Sequence, residues 1–505
     1  MPTLPAQTAL TYPAHSYDDA IAHLNSLVPE LFTAPAPAGE KPKRRKFSLD
    51  QIAALTAALG TPQSKFPSIL IAGTNGKGST ASTLASIATA SGLRTGLYTS
   101  PHLERVNERI KISAPAGLLA DIPDAAFARI YFHVLSTAQR LVDEAQLPGL
   151  PSYFELLTAI AFCWFAGVGP EPEPGVPPVD LAILEVGMGG RLDATNIVTP
   201  ILSVITDIAL DHQEWLGTTI TEIAREKAGI LRPNGILVTL PQHPQANQAL
   251  GEIATQLEVR GVSAAPYTPT LRANPLEPYQ LSVLGHTIPI DSPLHGAHQH
   301  RNLALAIAAA VELNTALPAT QNRPITPQSI EQGIRQTQWP ARLETVTLPG
   351  HPEGHPEILL DVAHNPAGAW ALRAALNAAE DAHTSPPVTA DGSSPNAQWL
   401  IFSCLRDKPL TEMAQILFPI FDRILFAPIH SPRATPLSEL ATAAEATGTP
   451  HTETASIAEA IELSLAQAST GNLRRIVISG SLYLVGEARA HLLHPNQPRA
   501  RQFAS

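Results

Sequence analysis

The stretch S-I-L-I-A-G-T-N-G-K-G-S, residues 68–79, decides the fold of this chain. Its apolar part, residues 69–72, has the length and the β-branched content of a buried strand. The strand pattern stops at Gly73, and from Thr80 onward apolar residues recur at the spacing of a helix face. A second strand is predicted directly afterwards, at residues 94–99. The order strand, glycine-rich loop, helix, strand is typical of a phosphate-binding unit in an α/β protein.

The glycine-rich loop has the chemistry of an anion site. Glycines let backbone N–H groups crowd around a phosphate, the helix N-terminus adds partial positive charge, and a lysine reaches the terminal phosphates. The loop is not the common G-x-x-x-x-G-K-[ST] motif, because Ala72 and Ile71 stand where the first glycine would lie. A tight glycine turn in an ordinary β-α unit is the alternative. We expect phosphate binding by Gly73, Thr74, Asn75, Gly76, Lys77, Gly78 and Ser79.

The composition bounds the class of protein. The chain has 505 residues, more than one hydrophobic core usually covers, so two or more domains are expected. Its net charge of −11 leaves no overall basic surface for nucleic acid, and the cluster K-P-K-R-R-K at residues 41–46 is expected to be a solvated loop. Cys163 and Cys404 lack the spacing of a metal site, and no apolar run reaches membrane-spanning length. We expect a soluble, cytoplasmic protein without a nucleic acid or membrane partner.

Strand and helix patterns alternate along the chain, with one interruption. Apolar strands at residues 181–184, 201–206 and 236–239 predict a mostly parallel, doubly wound sheet. After a polar, proline-containing bridge at residues 316–326, the β-α pattern starts again. We therefore predict an α/β fold with a P-loop-type nucleotide-binding domain at residues 1–325 and a smaller Rossmann-like domain at residues 326–505. Three proline- or glycine-rich loops are expected to be insertions: residues 34–46, 167–178 and 381–397.

Polar residues follow two of the predicted strands. Glu185 ends an apolar strand, at the place where α/β sheets bind ligands. A carboxylate beside a phosphate loop suits Mg²⁺, which prefers hard oxygen donors and substrate phosphates. His212 follows the next strand, and Lys227 comes fifteen residues later in a helical pattern. Taken alone, such a histidine is usually a loop residue and such a lysine usually lies on a solvated face.

Motifs spread over most of the chain resemble the folylpolyglutamate synthase / dihydrofolate synthase family of the Mur ligase superfamily. They occur in the family's order. They are G-T-N-G-K-G-S from Gly73, S-P-H-L from Ser100, N-E-R-I from Asn107, Y-F-E from Tyr153, E-V-G-M-G-G-R-L-D-A-T-N from Glu185, L-D-H from Leu210, E-K-A-G-I from Glu226, H-Q-H-R-N from His298, W-P-A-R from Trp339 and D-V-A-H-N-P from Asp361. The family has glycine where Ala341 stands, a small departure that leaves Arg342 in place.

The resemblance implies a monomeric, ATP-dependent ligase that joins L-glutamate to dihydropteroate or to the γ-carboxylate of folates through an acyl phosphate. It implies two Mg²⁺ sites held by Ser100, Glu185 and His212, with Lys227 as a carbamate formed from CO₂. Lys77, His212 and Lys227 are the expected catalytic residues. The resemblance implies nucleotide contacts for Asn302, Arg342 and Asp361. For the folate-type substrate it implies Ser152, Tyr153, Phe154, Glu155, Leu192, Asp193 and Ala194, with His364 facing the cleft.

Four alternatives remain open at this point. The segments at residues 152–155 and 192–194 favour a bifunctional enzyme, whereas H-Q-x-x-N at residues 298–302 also suits an enzyme that only extends folates. A cell-wall Mur ligase would act on a UDP-linked peptide by the same chemistry. A phosphotransferase would leave a phosphorylated product. A non-catalytic, nucleotide-gated binding module would not turn ATP over.

Overall fold

The structure is a computed structural model that describes residues 16–27, 48–114, 117–169, 177–269, 277–348, 356–382, 397–469 and 473–494. Its helices are α1 (Tyr17–Ser26), α2 (Asp50–Ala58), α3 (Lys77–Ala90), α4 (Asp124–Asp143), α5 (Tyr153–Ala166), α6 (Gln213–Leu216), α7 (Ile220–Ala228), α8 (Pro244–Gln256), α9 (Ala297–Ala316), α10 (Pro327–Arg335), α11 (Pro366–Ala382), α12 (Leu410–Leu417), α13 (Leu437–Thr447), α14 (Ile457–Ala468) and α15 (Leu482–Leu493). The basic cluster at residues 41–46 and most of the three predicted insertions lie outside the described residues.

The strands in chain order are β1 (Ser68–Ala72), β2 (Thr95–Tyr98), β3 (Ile110–Ser113), β4 (Leu119–Asp121), β5 (Leu181–Glu185), β6 (Leu202–Ile205), β7 (Ile236–Thr239), β8 (Arg260–Ser263), β9 (Tyr279–Val283), β10 (His286–Ile290), β11 (Glu344–Val346), β12 (Glu357–Leu360), β13 (Ala397–Phe402), β14 (Arg423–Phe426), β15 (His451–Glu453) and β16 (Leu473–Ser479). Strands β9 and β10 form a separate antiparallel hairpin.

The larger sheet has, within the described residues, eight strands in the order β4-β3-β2-β5-β1-β6-β7-β8. The six strands from β2 to β8 in that order are parallel, and β3 and β4 add an antiparallel edge. Alternate residues of β1 serve different cores: Leu70 packs on one face of the sheet, and Ile69 and Ile71 pack on the other. Helices on both faces therefore bury the strand completely, which confirms the predicted doubly wound sheet.

The smaller sheet has six strands in the described part of the chain, ordered β11-β12-β16-β13-β14-β15. All of its pairings are parallel except β11 with β12. Its two faces carry separate clusters of buried side chains, which include Ile478 on one face and Val477 on the other. This second sheet confirms the predicted α/β organisation of the C-terminal part.

The boundary predicted near residue 325 stays a prediction, although helix packing favours a later position. Helix α10 lies beyond residue 325 and still packs against α3 of the larger sheet. The contact is close: a Cβ at Gly333 would come within 2.4 Å of the Ile87 Cα. The smaller sheet begins only at Glu344. We therefore propose a division between the end of α10 and Glu344.

None of the helices within the described residues is long and apolar enough to cross a membrane.

Candidate active site

The carboxyl ends of four neighbouring strands bring the predicted site residues together. Strands β2, β5, β1 and β6 are adjacent and parallel, so the segments that follow them meet at one edge of the sheet. The phosphate loop, residues 73–79, follows β1, and Ser100 follows β2. Glu185 ends β5, and His212 lies on the segment after β6. The strand order thus explains why residues far apart in the sequence share one site.

The phosphate loop needs its glycines for close packing. Gly76 has a φ of 86°, in the left-handed region, and a Cβ there would come within 2.1 Å of the Asn302 Oδ1. A Cβ at Gly78 would come within 2.4 Å of the Trp339 ring. The loop leads into α3, whose first N–H groups have no partner within the helix. Such a loop offers backbone donors and a helix N-terminus to an anion.

Two lysines converge on the same carbonyl oxygen of the phosphate loop. Lys77 Nζ donates to the carbonyl oxygens of Gly73 and Thr74, both at 3.1 Å. Lys227 Nζ, from α7, donates to the same Gly73 oxygen at 2.7 Å. Lys227 is only 3% exposed, and this burial, with the nearby charge of Lys77, lowers the pKa of its amine to about 7. The structure therefore places a readily deprotonated amine beside the loop.

Glu185 is a buried carboxylate that faces the loop after β2. Its Oε2 accepts a hydrogen bond from the Ser100 N–H at 3.1 Å. Burial raises the pKa of the Glu185 carboxyl, while Lys77, the Ser100 amide, Arg342 and Arg109 act to lower it. A cation bound here would replace the hydration that the carboxylate loses by burial.

His212 occupies a turn that is unusual for a residue other than glycine. Its φ of 49° lies in the left-handed region, immediately before the short helix α6. Burial lowers the pKa of its imidazole to about 4, so the ring is neutral at pH 7. A neutral imidazole has a free lone pair, as a metal ligand requires. Within the described residues, no three His, Cys, Asp or Glu side chains gather into a group able to hold a metal.

The second domain contributes residues to the same cleft. Asp361 follows β12, and its carboxylate accepts from the Leu343 and Ala363 N–H groups at 3.0 and 2.9 Å. Arg342 interacts electrostatically with both Asp361 and Glu185, across the two domains. Asn365 Nδ2 donates to the Asn75 Oδ1 of the phosphate loop at 3.0 Å.

Two further predicted residues lie at the same cleft. Asn302, on α9, donates to the Gln299 side chain at 2.8 Å and lies against Gly76. His364 pairs with the Val362 carbonyl at 2.9 Å, and burial lowers its pKa to about 4.

A cavity of about 690 Å³ opens between the domains. Gly78, Ser100 and Glu185 line it from the first domain, and Arg342 lines it from the segment that leads into the second sheet. Trp339 also lines it. The cavity therefore connects the phosphate loop with the second domain.

The residues predicted to bind the folate-type substrate divide into two groups. Phe154, Leu192, Asp193 and Ala194 line a second cavity of about 90 Å³, together with Met188, Trp215 and other residues. Ser152 and Glu155 instead form a capping box at the start of α5, with the Glu155 Oε2 accepting from the Ser152 N–H and Oγ, both at 2.8 Å. They position Tyr153 and Phe154 and do not line that cavity.

Two charged residues at the site were missed by sequence reasoning. Arg109 is buried, and its Nε donates to the His102 Nδ1 at 2.9 Å. Burial lowers the pKa of His102, so this partner is neutral. Lys408, after β13, reaches Asp211 of the first domain. The sequence did contain a signal for both residues, because each is a charged residue close to the end of a predicted strand. Arg109 lies in N-E-R-I, and Lys408 lies in R-D-K.

Comparisons with known protein families match both halves of the chain. The Mur ligase middle domain matches residues 176–310. The model described as Dihydrofolate synthetase, C-terminal domain matches residues 344–491.

Similar proteins align over most of the chain. The folylpolyglutamate synthase of Lacticaseibacillus casei is 35% identical over 450 residues, 88% of this chain and 94% of the relative. The dihydrofolate synthase/folylpolyglutamate synthase of Bacillus subtilis is 32% identical over 457 residues, 88% of this chain and 95% of the relative. A solved structure of Mycobacterium tuberculosis folylpolyglutamate synthase, complexed with ADP and AMPPCP, matches with a TM-score of 0.74 and 32% identity, covering 90% of this chain and 96% of that one.

Proposed function

The chain belongs to the folylpolyglutamate synthase / dihydrofolate synthase family of ATP-dependent ligases, and on that premise we propose that it adds L-glutamate both to dihydropteroate and to folates. The observation that carries the proposal is the interdomain cleft. Glu185 and Arg342 line this cleft, Lys77 acts electrostatically on Glu185, and Asp361 acts on Arg342. Activation of a carboxylate by ATP needs a phosphate site and an acceptor site of this kind side by side.

We propose that ATP lies with its phosphates on the phosphate loop and its nucleoside toward Asn302, Arg342 and Asp361. Asn302 supports this placement because it packs directly against Gly76. Asp361 supports it because its carboxylate is fixed by two backbone N–H groups at the cleft. The similar structure from Mycobacterium tuberculosis holds ADP and AMPPCP.

The proposed reaction makes an amide in two steps. A free carboxylate resists attack by an amine, because the attack would have to expel oxide. Transfer of the γ-phosphoryl group to the carboxylate gives an acyl phosphate with a good leaving group. The glutamate amine then attacks, and the tetrahedral intermediate expels phosphate. In this scheme Lys77 leaves the loop carbonyls, contacts the transferring phosphoryl group and offsets its charge.

Ser100, Glu185 and His212 fit the proposed Mg²⁺ sites by the chemistry of their donors. The Glu185 carboxylate is a buried, hard oxygen ligand that accepts one hydrogen bond from the described residues, that of the Ser100 N–H. The neutral His212 ring supplies a nitrogen, and Ser100 supplies a hydroxyl. Magnesium bound there would offset the charge of the phosphates during transfer.

Lys227 fits the proposed carbamate because its amine is buried and has a pKa near physiological pH. Carbamate formation needs an uncharged amine, and an ordinary lysine is protonated at pH 7. Burial lowers the Lys227 pKa to about 7, which leaves a substantial neutral fraction at physiological pH. The carbamate would replace a positive charge beside the phosphates with an oxygen donor. Lys77 supplies the positive charge that the phosphates need.

Arg109 suits a carboxylate of one of the two substrates. Its hydrogen-bond acceptor within the described residues is the neutral His102, and its charge acts on the Glu185 carboxylate without a hydrogen bond to it. The guanidinium also lies 5.4 Å from the centre of the Tyr153 ring. For the aromatic part of dihydropteroate we propose the smaller cavity, where Phe154 and Trp215 offer flat apolar surfaces.

The decisive experiment measures ADP, phosphate and amide product with dihydropteroate or tetrahydrofolate, each with and without L-glutamate. We expect glutamate-dependent ADP release with both acceptors. Turnover with tetrahydrofolate alone would leave an enzyme that only extends folates, the activity for which the Lacticaseibacillus casei relative is named. A stable phosphorylated product would indicate a phosphotransferase, and turnover with a UDP-linked peptide would indicate a cell-wall ligase. No glutamate-dependent turnover with any acceptor would indicate a binding module.

A further inference from the structure

We propose that Lys408 is a positioning residue for the ligase reaction, which the second domain delivers to the site to hold Asp211 and the His212 turn when the domains close. The inference rests on the proposed function, because it concerns the same cleft. Lys408 belongs to none of the motifs that identified the family. Its contact with the first domain joins residues 197 positions apart in the sequence.

The contact between Lys408 and Asp211 is direct and largely buried. Lys408 Nζ lies 3.1 Å from the Asp211 Oδ1, and the two side chains are 8% and 14% exposed. Lys408 sits on the loop between β13 and α12 of the second domain, whereas Asp211 sits after β6 of the first. The pair therefore exists only while these two loops face each other.

Asp211 connects Lys408 to the turn at His212. The same Oδ1 accepts a hydrogen bond from the His212 N–H at 2.9 Å. His212 has left-handed backbone geometry, which a residue other than glycine adopts only when its surroundings hold it. The His212 carbonyl in turn accepts from the N–H groups of Trp215 and Leu216 in α6. One carboxylate oxygen thus links the second domain to the backbone of a proposed metal ligand.

Asp211 is the main partner of Lys408 within the described residues. The other carboxylate near Lys408 is Asp407, at 3.9 Å. Arg433 already pairs with Asp407 at 2.7 Å, inside the second domain. Asp211 is both nearer to Lys408 and less exposed than Asp407, so the Lys408 charge is directed at Asp211 across the cleft.

The energetics favour a role that is specific to the closed state. Opening of the cleft exposes both charges to water, where an ion pair contributes little to stability, so separating them costs little free energy. A buried charge that loses its partner is strongly destabilising. Without Lys408, closure would bury Asp211 with the His212 N–H as its one remaining hydrogen-bond donor among the described residues. The pair therefore raises the population of the closed form and fixes the turn within it.

The test compares Lys408→Met, Lys408→Arg, Asp211→Asn and the double variant Lys408→Met/Asp211→Asn in the full-length chain. Arg433→Gln is the matched control, because it breaks an ion pair of the same loop region without touching the first domain. We expect Lys408→Met to lower kcat on the order of 30-fold with little change in the KM for ATP, as truncation of a buried interface charge does. Lys408→Arg should restore most of the rate, and Arg433→Gln should stay within about twofold of wild type.

The double variant tests whether Lys408 acts through Asp211. We expect it to be no slower than the slower single variant, because both changes break one link. Independent, additive losses would overturn the proposal. So would a Lys408→Met variant that melts at a lower temperature but keeps the kcat and KM of Arg433→Gln. Lys408→Gln replaces the Met variant if the latter does not fold.

A measurement of closure separates this proposal from the proposed function. Small-angle X-ray scattering, with and without AMPPCP and MgCl₂, reports the overall dimension of the protein whether or not ligation occurs. We expect wild type and Arg433→Gln to become more compact with the nucleotide and Lys408→Met to do so less. Equal compaction of all three would overturn the role in closure. Absence of ligation by wild type, with normal compaction, would refute the proposed function alone.

Discussion

Lys77 and Lys227 donate to one backbone oxygen, that of Gly73, although like charges repel. The arrangement is physically reasonable because burial has brought the Lys227 pKa down to about 7. The two lysines therefore need not carry charge together. At the residue scale, we expect the two lysines to have different roles: Lys77 contacts phosphate as a cation, and Lys227 supplies a neutral amine.

Lys77→Ala is expected to abolish ligation and leave the fold intact. Among the described residues, the Lys77 amine donates to carbonyl oxygens of its own loop, so its removal leaves the hydrophobic core intact. Loss of a preorganised charge at a transferring phosphoryl group should lower kcat on the order of 10²–10³-fold. Steady-state ADP release measures the effect, and the exposed Lys65→Ala is the control. Near-normal turnover in Lys77→Ala would remove the loop lysine from the mechanism.

Lys227 is expected to make activity depend on CO₂ in a pH-dependent way. With a pKa of about 7, below the usual 10.5, its amine is mostly protonated at pH 6 and mostly neutral at pH 8. At equal dissolved CO₂, recovery of CO₂-stripped enzyme should therefore be larger at pH 8 than at pH 6. Carbon-13 NMR with labelled bicarbonate should show a carbamate signal.

The variant Lys227→Ala provides the complementary experiment. It should be nearly inactive and partly restored by short carboxylates such as acetate, which can occupy the vacated anion position. Lys77→Ala should not respond to the same carboxylates. A wild-type enzyme that shows no carbamate signal and no CO₂ dependence would leave Lys227 as a structural hydrogen-bond donor to Gly73.

At the scale of elements, the start of α3 is closely packed against the segment that carries Trp339. Gly78→Ala is expected to weaken ATP binding at least tenfold, because its Cβ would come within 2.4 Å of the Trp339 ring. Gly251→Ala in α8 is the control, since nothing lies within 4 Å of a Cβ there. This control should be neutral or stabilising by about 1 kcal/mol, because alanine favours a helix over glycine. Isothermal titration with AMPPCP measures both, and equal affinities would refute the packing argument.

The elements that the sequence predicted share strong apolar patterns. The predictions for β1, β5 and β7 lie within a residue of their observed bounds, because parallel strands buried on both faces of a sheet read as continuous apolar runs. The hairpin β9–β10 and the edge strand β4 were not predicted. β4 has three residues, none of them buried, so it carries little pattern. The hairpin does carry the alternation of half-buried strands, with Leu281 and Val283 buried in β9 and Ile288 and Ile290 buried in β10, but each of its strands has only two such residues.

At the scale of the whole molecule, each domain has its own hydrophobic core, and the domains meet through polar contacts and through Leu103 of the first domain, which packs into a core cluster of the second. The contacts include Lys408 with Asp211, Asn365 with Asn75, and Arg489 with Glu104. Polar contacts of this kind separate and re-form more readily than an apolar core. The cleft is therefore suited to opening for substrates and closing for the reaction.

Nucleotide binding is expected to couple the unfolding of the two domains. Calorimetry without nucleotide should show two overlapping transitions, because each domain has its own core. AMPPCP with MgCl₂ should raise both transition temperatures and bring them together. At a hundredfold excess over its Kd, the nucleotide should stabilise the native state by about 2.7 kcal/mol. AMP, which lacks the β- and γ-phosphates, is the control and should shift them little. A single transition already present without nucleotide would contradict this picture of two separate cores.

The sequence by itself determined the family, the α/β class and the phosphate loop, because these depend on local signals. Apolar runs, glycines and a lysine at fixed spacing carry them, and the comparisons confirm the family. Only the tertiary structure decided which residues meet. Lys227 reaches Gly73 across 154 positions, and Asn365 reaches Asn75 across 290. These meetings follow from the position of β1 between β5 and β6 and from the docking of the second domain, and neither leaves a periodic trace in the sequence.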